Sequence, residues 1–145
     1  MSGIGERTAA RIEDVLQEVA AGAGERDRAP RFPEDAMRAL QSAGVLGARL
    51  PIPEEWALVR AIARADGSVG RIVDGHFNAV ERLALLAPEP LRAAHLAQVA
   101  AGTLWLGVWG ADPARGEGEP ARVVRDGAHL ALEGVKVFCS GAGRA

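Results

Sequence analysis

Up to Gly102 the apolar residues of this chain recur at intervals of three and four; beyond it they do not. That change of period constrains the fold more than any other feature. A spacing of three and four buries one stripe of a helix, whereas a spacing of two buries one face of a strand. Ile12, Val15, Leu16 and Val19 form such a stripe, predicting a helix over residues 6–21 that Gly22 and Gly24 end, with Glu25-Arg26-Asp27-Arg28 as a charged linker. Phe32-Pro33-Glu34-Asp35 opens a second helix, with proline suited to its first position and the two acids to the positive end of its dipole. Met37 and Leu40 face inward and Gly44 caps the end, followed by a buried connection to Pro51. Pro51 and Pro53 defer the third helix to residues 54–65, with Trp56, Val59, Ile62 and Ala63 on one face. Asp66 or Ser68 caps a fourth, longer helix carrying Val69, Ile72, Val73, His76, Phe77, Val80, Leu83, Ala84 and Ala87. Pro90 heads a fifth, whose Leu91, Ala94, His95 and Gln98 lead to the stop at Gly102.

After Gly102 the pattern is that of strands. Trp105-Leu106-Gly107-Val108-Trp109-Gly110 reads as one strand. Residues 121–125 and 128–134 read as a hairpin about Asp126-Gly127, because Asp-Gly tolerates the positive φ of a two-residue turn. In it His129 and Ala131 alternate with Leu130 and Leu132, which leaves one face wet. Gly134-Val135-Lys136-Val137-Phe138-Cys139-Ser140-Gly141 reads as a further strand running into a glycine turn. The expected class is α+β: an all-α helical domain over 1–102, then the opening antiparallel strands of a β-barrel domain over 103–145. A sheet that begins so near the last residue reads as truncated.

Composition excludes several classes. Net charge is −2 from 17 basic and 19 acidic residues, with no block of like charge, so nucleic-acid binding lacks an electrostatic footprint. Apolar residues make up 48% and charged residues 25%, too apolar for a disordered chain. No apolar run approaches the roughly 18 residues of a membrane span, and Met1–Arg7 lacks the apolar core of a signal peptide. A cytoplasmic location is the expectation. Cys139 is the single cysteine, so no internal disulfide forms, and it stands far from His76, His95 and His129 without metal-ligand spacing. The stretch 135–143 superficially suggests a dinucleotide-binding turn, but the third glycine and the following helix are missing.

The order of the pieces is more specific than any one of them. Phe32-Pro33, Ala43-Gly44-Val45-Leu46-Gly47, Leu50-Pro51, Ala65-Asp66-Gly67-Ser68 with His76 in the next helix, Asp112-Pro113-Ala114-Arg115-Gly116, and Gly134-Val135-Lys136-Val137-Phe138-Cys139-Ser140-Gly141 follow one another in this chain. In that order they resemble the acyl-CoA dehydrogenase family of flavoproteins, over residues 32–145. The resemblance implies FAD held against the β domain, with Val108, Trp109, Gly110 and Ala111 along the flavin and Phe138 packed on its ring system. Cys139 would stand beside that ring, and Ser140 would offer a hydroxyl or backbone N–H near N5. It implies α,β-dehydrogenation of an acyl thioester with hydride passing to N5, and homo-oligomers in the full-length form. Glu117 falls where the family passes its CoA thioester and so marks the substrate side. Departures are Ala111 for threonine, Asp112 for glutamate, Glu117 for serine, and no Gly-Gly element after Pro51. These touch acyl-CoA recognition more than flavin binding. The family's catalytic glutamate comes from a C-terminal helical domain, and no carboxylate here takes its place. The isolated chain is therefore expected to bind FAD weakly or not at all and to leave acyl-CoA unchanged. Two other readings are a flavin-dependent monooxygenase of the same fold and a non-catalytic helical interaction module.

Overall fold

The computed structural model describes residues 6–142. Residues 1–5 and 143–145, among them Gly143 of the glycine turn, lie outside it. The first helix, α1 (Glu6–Arg28), outruns its sequence prediction, continuing through Gly22, Gly24 and the charged stretch 25–28. Arg26 is the reason. Its Nε donates to Asp66 Oδ2 at 2.8 Å and its Nη2 to the Val19 carbonyl at 2.5 Å, so an added helical turn carries a guanidinium back along the helix. A Cβ on Gly22 would collide with that guanidinium. The glycine makes room for a side chain; it does not end the helix.

α2 (Glu34–Ser42) has Pro33 at its N-cap and buries Ala36, Met37 and Leu40. Gly44, at φ 79°, closes it. The Gly44 N–H donates to Gln41 and the Val45 N–H to Leu40, the paired bonds of a Schellman end. α3 (Ile52–Ala65) begins two residues earlier than expected. Pro51 sits at the N-cap and Pro53 in the first turn, where a backbone N–H has no intrahelical partner to lose. Leu58 and Ile62 are its buried residues, while Trp56 is 65% exposed, a correction to the expected inner face. α4 (Gly67–Leu86) is capped by Asp66, whose Oδ1 accepts from the N–H groups of Ser68 at 2.8 Å and Val69 at 3.1 Å. α5 (Leu91–Ala100) ends at Gly102, φ 70°, in a second Schellman pair.

One core unites α1 to α4: Val19, Met37, Leu40, Val45, Leu46, Leu58, Ile62, Val69, Val73 and Phe77. α3 and α4 make the most extensive helix–helix contact. Gly70 permits it at the corner, since a Cβ there would lie 2.5 Å from the Ala63 Cβ. No helix among the described residues is long and apolar enough to cross a membrane.

The chain is α+β as expected, with the helices first and a two-stranded antiparallel sheet after them. Its strands are β1 (Arg122–Asp126) and β2 (His129–Glu133), paired Asp126 to His129 through Arg122 to Glu133. The turn residues are therefore Gly127 and Ala128, one place later than expected. Gly127 has φ 58° and Ala128 does not share a positive φ, the pattern of a type II′ turn with glycine first. Sliding the turn by one residue moves each cross-strand partner by two, so the faces survive the change. The more open face carries Val123, Leu130 and Leu132 beside Arg125, while Val124 and Ala131 on the other are half-buried.

Two expected strands are absent. Residues 104–110 carry no regular secondary structure. Their polar groups turn to the helices: the Leu106 N–H donates to His76 Nδ1 at 3.1 Å and Trp105 Nε1 to Gln41 Oε1 at 2.6 Å. Residues 134–141 contribute only two isolated bridges, Val135 with Pro120 and Val137 with Ala111. Gly134 breaks from β2 at φ 115°, and Pro120 has no N–H with which to extend a ladder.

Candidate functional site

The Ala111–Val137 bridge is antiparallel, with the Val137 N–H donating to the Ala111 carbonyl at 3.0 Å. It joins Ala111, the last residue of one stretch expected along a flavin, to Val137, the residue before the other, although the two are far apart in the chain. Lys136 Nζ reaches Asp112 Oδ1 at 2.5 Å and ties them a second time. The sequence reading missed this ion pair, because neither residue has a local partner.

Phe138 projects from the junction, 84% exposed, with φ 55°. A bulky residue in the left-handed region costs about 1–2 kcal/mol, and such strain gathers at functional positions. Trp109 is 53% exposed and Gly110 is open, whereas Val108 and Ala111 are half-buried. Past Phe138 the chain folds tightly. The Ser140 N–H donates to the Phe138 carbonyl and the Ala142 N–H to the Cys139 carbonyl, both at 3.0 Å, and Cys139 Sγ lies 3.5 Å from the Lys136 carbonyl. Of the two groups Ser140 was expected to offer, the backbone N–H is thus engaged and the hydroxyl is left. Glu117 turns into its own loop: its carboxylate accepts the Ala114 N–H at 3.3 Å while its N–H donates to the Ala114 carbonyl. Asp112 and Glu117 thus both have internal partners. Two exposed aromatic rings and one hydroxyl suit an apolar planar ligand. Among the described residues no group of three His, Cys, Asp or Glu could hold a metal ion.

Behind the junction, segment 103–111 is fastened to the helices. Gln41, in the last turn of α2, donates to the Gly102 carbonyl and accepts from the Trp105 indole. The Trp105 ring stacks on Phe32 at 6.0 Å between centroids. His76 is fully buried, with Nε2 2.8 Å from the Leu46 carbonyl and Nδ1 accepting from Leu106. Burial pushes it below its ordinary 6.5, against the hydrogen bond to Leu46. The helical period put His76 on the inner stripe, but nothing local in the sequence points to its partners.

A cavity of about 420 Å³ lies elsewhere, between α3, α4 and residues 48–52. Leu50, Phe77 and Val80 line it, with Glu55, Asp74 and Glu81 among its polar groups. Burial, then Glu81 and Asp74, push the Glu55 carboxyl above its ordinary 4.5. None of the residues expected at a flavin lines this cavity. No protein-family model matches the sequence, and none of the curated proteins matches it either.

Proposed function

We propose that this chain is the N-terminal portion of an acyl-CoA dehydrogenase-like flavoprotein, with Val108–Ala111 and Phe138–Ser140 forming one wall of an FAD site. The observation that carries this reading is the bridge that joins the two stretches at Ala111 and Val137, with Phe138 strained and exposed next to it. The residues suit a flavin: Trp109 and Phe138 supply aromatic surface that excludes water from a ring system, and the Ser140 hydroxyl supplies a donor. Bound FAD would supply the acceptor for the hydride removed in α,β-dehydrogenation of an acyl thioester. The chain's own part is to hold the ring and shield it. Asp112, paired with Lys136, and Glu117, which caps its own loop, are not placed to act as the base for the α-proton. Acyl-CoA as the substrate and homo-oligomers in the full-length protein belong to the same reading.

Titration of the chain with FAD, followed by tryptophan quenching, tests it. Weak, saturable quenching is expected, reduced by Phe138→Ala and Ser140→Ala, with no dye reduction on adding acyl-CoA. Equal quenching in the variants, or none at millimolar FAD, overturns the reading.

One observation favours a second reading, a non-catalytic interaction module: Val123, Leu130 and Leu132 form an apolar face open to solvent. That module would remain folded without flavin and elute above its monomer mass in size-exclusion chromatography; a monomer at all concentrations counts against it.

A further inference from the structure

The tautomer of His76 follows from its partners. The Leu46 carbonyl can only accept, so Nε2 carries the proton; the Leu106 N–H can only donate, so Nδ1 must be bare. A second proton on Nδ1 would set two N–H groups head to head and abolish the bond to Leu106. Segment 103–111 has four fastenings to the helical part: Thr103 at the Gln98 carbonyl, Gln41 at Gly102 and Trp105, the Trp105–Phe32 stack, and His76 at Leu106. Only the last contains a titratable group, and it is the one nearest Trp109–Ala111. Charged groups do not compete for the ring. On its own helix Arg71 and Asp74 pair with each other at the surface, and on the Leu46 loop Arg49 is exposed. The segment itself has no charged residue before Asp112, which is bonded to Lys136.

We propose that His76 is a proton-sensitive clasp: neutral, it pins the backbone at Leu106 and so fixes the path of Trp109–Ala111 to the Val137 junction; doubly protonated, it lets the segment go. The clasp stands on its own geometry, while its consequence for FAD rests on the flavin reading above. Burial favours the neutral ring, so the clasp is fully closed above pH 6.5 and opens below it, as the pH falls through the lower value the fold imposes.

Amide hydrogen exchange on the full chain, corrected for intrinsic rate, tests this between pH 8 and 4.5, alongside ring ¹⁵N shifts of His76. The Nε2–H tautomer is expected at neutral pH. Leu106 protection should fall about tenfold per pH unit from pH 6.5 down to the titration point of the ring, the slope of one proton, and level off as that tautomer is lost, while Val73 and Phe77 amides keep theirs. Leu106 protection flat with pH, or lost together with Val73 and Phe77, overturns the clasp. In His76→Gln the Leu106 response should disappear; if that variant does not fold, the ring shifts of the native chain still decide. FAD titrations at each pH separate the two ideas. Release of Leu106 with no FAD bound at any pH keeps the clasp and rejects the flavin reading; FAD bound alike at every pH, with Leu106 protection flat, does the reverse.

Discussion

Single residues decide several close approaches. Arg26 and Asp66 form an ion pair with side chains 12% and 6% exposed. Removing one partner leaves a charge uncompensated in the interior, so Arg26→Met should cost about 3–5 kcal/mol in urea unfolding. Burial raises the Asp66 carboxyl, but the hydrogen bond from Arg26 and the N–H groups of Val69 and Ser68 outweigh it and hold it below its ordinary 3.8. The folded value being the lower one, its contribution is complete above pH 3.8 and is lost as pH falls through the folded value. The urea midpoint should therefore drop over that acid range and drop less in Asp66→Asn. Glu55 has the opposite sign. Its folded value is raised, so Glu55→Gln should raise the melting temperature at pH 7 and lose that advantage below about pH 4.5. Gly70→Ala would force α3 and α4 apart at Ala63 and should cost about 1–3 kcal/mol.

At the scale of elements, glycine shows how one residue type is read two ways. Gly22 and Gly24 look like stops in the sequence, yet α1 runs through both. A Cβ on Gly24 would meet only Arg28 at 3.6 Å, an ordinary contact, so Gly24→Ala should stabilise by about 0.5–1 kcal/mol through helix propensity. Gly22→Ala should not, because it displaces the Arg26 guanidinium from its ion pair. Thermal melts of the two variants separate a helix that continues from one that ends at residue 21. Gly44 and Gly102, by contrast, are true stops, each at positive φ in a Schellman pair. In the hairpin, Leu130→Lys with Leu132→Lys should leave stability within about 0.5 kcal/mol, since both side chains are open to solvent. Binding of an apolar dye should fall with the same pair of changes.

Across the whole molecule, what was legible in the sequence is what rests on local period and local caps. The inner faces of α2 and α4, the Asp66 cap and the stops at Gly44 and Gly102 all repeat within a turn or two of chain, and the helices-then-strands order follows from the change of period at Gly102. The strands at 105–110 and 134–141 were not legible, because a strand exists only if a distant segment offers its backbone. Here Leu106 gives its N–H to His76 and Pro120 has none to give. The candidate site divides the same way. Phe138, Trp109 and Ser140 could be singled out by the order of motifs. That Ala111 meets Val137 and that Lys136 closes on Asp112 are contacts between residues whose separation in sequence carries no pattern. The sequence by itself determined the class of fold, the helical core and its caps, since periodicity and capping are local properties of the chain. Tertiary structure alone decided that Gly22 houses a guanidinium, that Trp56 faces solvent and that a buried histidine holds the segment leading to the site. Each of these depends on which surfaces are brought together, and burial and hydrogen-bond partners are fixed only then.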